Sequence, residues 1–204
     1  MKPGASFIFA GMLALCTFAA TPSLAGGDTT YGRIEGAIEV AAGLGATVGS
    51  YGTRPAFELR GRYLSMAGAF LTYEEGFAKT ADPRRLVSIG IEMRPLFLAR
   101  WLKGREIGQA TLDLLVDSFA LELGVFFAEP PGRGFGSRMG LQASLGLELP
   151  LFGRAEGLFL TAHGGGRFSD GWASSEAPQS GQERAAFLTL GLAWHEILEV
   201  GLTP

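Results

Sequence analysis

Residues 138–151, RMGLQASLGLELPL, alternate without interruption. Met139, Leu141, Ala143, Leu145, Leu147, Leu149 and Leu151 share one parity, while Arg138, Gly140, Gln142, Ser144, Gly146, Glu148 and Pro150 share the other. Successive side chains of a strand point to opposite faces, so this stretch is a strand with one aliphatic face and one polar or glycine face. A soluble sandwich shows the same alternation. The weight therefore falls on two further features: the polar face carries charge, and the pattern recurs along the chain.

It recurs six times. Residues 33–48 set Ile34, Ile38, Val40, Leu44 and Val48 against Arg33, Glu35, Glu39 and Thr47. Residues 56–73 set Phe57, Leu59, Tyr63 and Leu71 against Glu58, Arg60 and Arg62. Val87, Ile89, Ile91 and Met93 oppose Ser88, Gly90, Glu92 and Arg94, and Phe119, Leu121, Leu123, Val125 and Phe127 oppose Ser118, Ala120, Glu122 and Gly124. Leu158, Leu160 and Ala162 then oppose Thr161, His163 and Arg167, and the last strand sets Leu188, Leu190, Leu192 and Trp194 against Thr189, Gly191 and His195. Turn-forming clusters such as Gly49 to Pro55 and Glu129 to Gly132 separate these runs. Only residues 95–115 break the alternation. There Leu98, Trp101 and Leu102 fall at helical spacing beside Arg100, Lys103 and Arg105, which predicts one short amphipathic helix near 96–104.

The charges on the polar parity decide which face is enclosed. They are Arg33, Glu35, Glu39, Glu58, Arg60, Arg62, Glu92, Arg94, Glu122, Arg138, Glu148 and Arg167, six acidic and six basic, with no lysine. Arginine suits enclosed carboxylate pairs because its planar fork binds them bidentately, whereas lysine suits water. A closed lumen filled by Glu and Arg, with His163 and His195 on the same parity, is the expected arrangement. The aliphatic parity then meets lipid, where a mid-membrane charge costs about 2–4 kcal/mol. The competing arrangement is a soluble, exported lipocalin-like barrel whose aliphatic parity encloses an apolar ligand. In that case Leu98, Trp101 and Leu102 would dock on the barrel.

Residues 1–25 read as a cleaved secretory signal: Met1 and Lys2 open it, 5–20 are apolar, and Ser23-Leu24-Ala25 supplies small residues for cleavage. Residues 26–204 then form one domain. The only cysteine, Cys16, lies in that leader. A formal net charge of −3 shows no basic excess, so no nucleic-acid partner is expected. Two histidines without a spaced partner supply no structural zinc motif, the glycine runs at 132–136 and 164–166 lack phosphate-loop context, and no metal or cofactor is expected.

Signal, alternating strands and charged lumen together resemble the small monomeric outer-membrane β-barrels of Gram-negative bacteria. The resemblance is architectural and spans residues 33–195. It implies an all-β, antiparallel up-and-down barrel of about 8 strands, an outer-membrane location, lipid as the partner, a monomer, and a structural or narrow-pore role without catalysis. Seven strands are clear in the sequence, whereas such barrels have an even number. Short connections at 49–55 and 152–156 would face the periplasm with the helix, and longer ones at 74–84, 128–137 and 169–183 would face outward. Chain direction then starts the first strand from the outer side. A lipid-modifying enzyme is the remaining alternative, with His163 as base near Ser118, Ser144, Glu122, Glu148, Ser169 or Asp170. Trp101, Trp172, Trp194, Tyr63 and Tyr73 are candidates for aromatic belts at the membrane interfaces.

Overall fold

The computed structural model describes residues 31, 33, 38–77, 81–169 and 184–199. The leader, Glu35, Asp170 and Trp172 lie outside the described residues. Eight antiparallel strands pair in sequence order, and β1 (Ile38–Gly49) closes on β8 (Arg184–Leu198) to make a barrel. Between them run β2 (Gly52–Tyr63), β3 (Ala67–Glu75), β4 (Arg85–Met93), β5 (Ala120–Glu129), β6 (Arg138–Pro150) and β7 (Gly157–Ser169).

The strand that the alternation concealed comes from 56–73, which is two strands rather than one. Leu64 and Ser65 take left-handed φ values of 50° and 54°, and the Met66 N–H bonds back to the Tyr63 carbonyl at 3.0 Å. Tyr63 pairs with Ala67 across this turn. Three residues intervene, so both strands keep the same parity, and no glycine or proline marks the reversal. The extra turn also moves the first strand. β1 begins and β8 ends at the same end of the barrel as the turns 64–66 and 151–156, here termed the termini end. The connections 50–51, 76–84 and 130–137 lie at the opposite, loop end. Two expectations are thereby corrected: the short 49–55 connection sits with the long loops, and β1 starts from the helix side.

The connection between β4 and β5 holds two helices, not one. α1 (Pro95–Lys103) starts with proline in its first turn and stops at Gly104, whose φ of 56° forms a left-handed cap. α2 (Ala110–Asp117) follows and packs on β6. Gly108, at φ 83°, separates the two.

The barrel is charged within and aliphatic without. Arg62 and Glu148 are each 1% exposed, whereas Leu44 is 70% and Ile91 67% exposed. Leu121, Leu123, Leu141, Leu145, Leu188 and Leu190 join them on the outside. This overturns the lipocalin-like alternative, in which the aliphatic parity faces inward. The helix fails that alternative too: Phe97 is the buried residue of α1, while Trp101 and Leu102 are exposed.

Candidate functional site

The interior-facing parity of seven strands converges on one network nearer the termini end. Arg62 of β2 donates to three carboxylates: Glu39 of β1, Glu92 of β4, and Glu148 of β6 at 2.5 Å. Arg60, two residues toward the loop end, donates to Glu92, to Glu122 of β5 at 2.6 Å, and to Glu58 at 3.5 Å. Arg94, following β4, donates to Glu148 and reaches Glu39 at 3.4 Å. The two imidazoles each lie between two carboxylates. His163 Nδ1 is 2.9 Å from Glu122 and its Nε2 3.6 Å from Glu58; His195 Nδ1 is 2.9 Å from Glu39 and its Nε2 3.8 Å from Glu148. His195 also stacks on Phe159 at 4.0 Å. Ser144 donates to Glu122 at 2.7 Å.

Space for this network comes from the small residues on the same faces. A Cβ on Gly146 would stand 2.6 Å from His163 Nδ1 and 3.1 Å from Glu122 Oε1. Only glycine leaves the imidazole its place.

The other expected lumen residues are separate from that cluster. Arg167 forks onto Glu74 at 2.5 and 3.2 Å and bonds Gln142, which also accepts from Ser88 at 2.8 Å. Arg33 pairs with Asp117 at 2.8 Å at the termini end, its guanidinium 4.2 Å over the Phe97 ring. Arg138 pairs with Asp82 at 3.0 Å on the loop-end rim. Its parity points inward, but it opens β6, where the wall gives way to the loops.

Several members escaped the sequence reading. Glu74 has the inward parity of β3, which runs two residues beyond the alternation of 56–73. Asp113 and Asp117 lie on the unforeseen α2. Asp113 accepts from Tyr31 at 3.0 Å, from the backbone N–H groups of Ile107 at 2.8 Å and Gly108 at 3.0 Å, and from Arg100. Burial pushes its carboxyl upward, but these donors more than offset that and hold it below the ordinary aspartate value.

The chemistry open to this arrangement is mutual neutralisation. Glu39, Glu148 and His195 bring three possible ligand atoms within 4.8 Å of one another, yet Arg62 and Arg94 already engage both carboxylates. The donor set therefore fits an internal ion-pair cluster better than a metal. The acyl-transfer arrangement is likewise unfavoured by geometry. Ser144 gives its hydrogen to Glu122, whose other oxygen lies 2.9 Å from His163 Nδ1, and His163 is buried at mid-strand, away from a rim where lipid would arrive. Ser118 donates to the Leu115 carbonyl and accepts from the Glu148 N–H.

Closed, eight-stranded, charged within and aliphatic without, the chain has the architecture of the small outer-membrane barrels its sequence resembles. Among solved structures it is similar to Ail, the attachment invasion locus protein of Yersinia pestis, at 14% identity over 79% of this chain and 99% of that one, with a TM-score of 0.37. It is similar also to neisserial surface protein A, NspA, at 13% identity over 77% and 94% of the two chains, with a TM-score of 0.37. No known protein family matches the chain, and no curated protein matches it.

Proposed function

We propose that the protein is an outer-membrane barrel of structural type, exported by a leader cleaved after Ala25, monomeric, and held by lipid around its outer wall. The observation that carries this reading is the inversion of the usual protein interior. Charged side chains are buried together, and long aliphatic ones ring the outside at nearly every second strand position. Water would penalise that surface, whereas hydrocarbon would favour it.

The lumen supports a structural role over a narrow pore. Ion pairs join strands on opposite walls, Arg62 of β2 to Glu148 of β6 and Arg167 of β7 to Glu74 of β3. An eight-stranded barrel is just wide enough for its side chains to fill. With the start of β1, the end of β8 and the helices on one side, that side is the periplasmic one in this reading, and contacts with the outside fall to the loop end. No catalytic step is assigned. Expression with the leader, followed by envelope fractionation, tests the location: a product in the outer-membrane fraction that requires detergent supports it, and a soluble periplasmic product overturns it. Planar-bilayer recording tests the role, with a silent barrel expected and stable single-channel steps contradicting it.

A further inference from the structure

Among the described residues, the helical connection leaves an apolar surface that neither the lumen nor the barrel wall covers. Phe97, Leu114 and Arg100 turn inward, Arg100 bonding to Asp113 and to Asp117 at 3.0 Å. Trp101 at 43%, Leu102 at 70% and Ile107 at 60% turn outward, beside the basic Lys103 and Arg105.

Position says what lies against that surface. α1 leaves β4 two residues after Met93, and α2 enters β5 just before Leu121; Met93 and Leu121 are registered partners, both exposed on the aliphatic wall. α2 packs on β6, and its Thr111 approaches Gly153 of the adjoining turn, where Phe152 is 70% exposed. The hairpin thus springs from the lipid-facing wall along β4 to β6, and its apolar residues continue that wall beyond the strand ends. Tyr63 at the end of β2 and Trp194 near the end of β8 lie at the same end. Aromatic side chains with an apolar body and a polar edge favour the boundary between headgroups and acyl chains, and basic side chains reach from there to lipid phosphates.

We propose that the α1–α2 hairpin is a membrane-interface anchor. Trp101, Leu102, Ile107 and Phe152 insert at the headgroup boundary of the leaflet at the termini end, and Lys103 and Arg105 bind phospholipid phosphates there. This inference rests on the reading that the barrel spans a membrane. It adds a second attachment that fixes the depth of the barrel and orients the helices over its mouth.

Two single-tryptophan proteins test it, each refolded as the full mature chain into phosphatidylcholine vesicles. One carries Trp172→Phe with Trp194→Phe and reports Trp101; the other carries Trp172→Phe with Trp101→Phe and reports Trp194, on the barrel wall. Lipids brominated on their acyl chains quench only indoles in contact with the bilayer. The expected result is a loss of Trp101 emission comparable to that of Trp194. Quenching of Trp194 with none of Trp101 overturns the anchor and leaves the membrane barrel standing. Quenching of neither overturns both. In vesicles containing phosphatidylglycerol, Lys103→Glu with Arg105→Glu is expected to reduce quenching of Trp101 while leaving that of Trp194 unchanged; unchanged quenching of Trp101 removes the role given to the two basic residues.

Discussion

Arg62 and Glu148 belong to opposite walls of the barrel, β2 and β6, and their side chains meet inside it at 2.5 Å. Each has further partners: Arg62 also holds Glu39 and Glu92, and Glu148 is also held by Arg94. Three carboxylates therefore share one buried guanidinium. Removing one member of a buried ionic group costs about 3–5 kcal/mol, because the remaining charges are left uncompensated. Arg62→Leu is expected to destabilise the folded barrel by about that amount in urea unfolding from lipid vesicles. A loss below about 1 kcal/mol would mean that water reaches these carboxylates and that the lumen is open.

Gly146 tests how tightly the same network is packed. Its missing Cβ leaves room for the His163 ring, and an added methyl would overlap it. Gly146→Ala is expected to cost about 1–3 kcal/mol, the range for overpacking a filled interior. Gly61, on the outer face of β2 with nothing within 4 Å of its Cβ position, supplies the control. Gly61→Ala should leave stability unchanged or slightly raised, and equal effects at the two positions would contradict the assigned faces.

Much of this was legible before the structure. A strict period of two assigns faces without any knowledge of the partner strand, so Glu39, Arg60, Arg62, Glu92, Glu122, Glu148, His163 and His195 could all be placed inside. What the period does not carry is where a strand reverses. At Leu64-Ser65-Met66 the turn consumes three residues and preserves parity, so the alternation runs through it and one strand goes uncounted. Nor does parity carry which residue meets which across the lumen. That depends on strand stagger, which is why Arg167 reaches Glu74 and why Arg138, inward by parity, pairs with Asp82 at the rim. Asp113 was illegible for another reason: two of its donors are backbone N–H groups, which leave no mark in the sequence, and the other two, Tyr31 and Arg100, lie outside its own helix.

The hairpin should depend on pH through Asp113. Its carboxyl titrates lower in the folded protein than in an unfolded chain, so the stabilisation is present above the unfolded value, about 3.9, and is lost as pH falls through the folded one. Limited proteolysis across 104–109 is expected to stay slow from neutral pH down to about 4 and to accelerate below it. Asp113→Asn should be cut faster at neutral pH and show a flatter pH profile. Identical profiles for the two proteins would remove Asp113 from the account.

A charge on the outer wall separates lipid from water. Leu145 is 52% exposed at mid-strand, so Leu145→Arg in a soluble barrel would place a guanidinium in solvent at little cost. In a bilayer the same change costs about 2–4 kcal/mol near the midplane. Assembly into vesicles is expected to be impaired, with Leu145→Ala much closer to the parent. Equal folding yields for Leu145→Arg and Leu145→Ala would place this wall in water.

In the proposed membrane barrel the odd-numbered face of β6 meets hydrocarbon and the even-numbered face turns into the lumen. Single cysteines at each position from 139 to 148, in mature protein that otherwise has none, can be challenged in membranes with a thiol reagent confined to the lipid phase. Labelling at 139, 141, 143, 145 and 147, with protection at 140, 142, 144, 146 and 148, is the predicted result. Labelling of neither parity, or of the even positions alone, would contradict it.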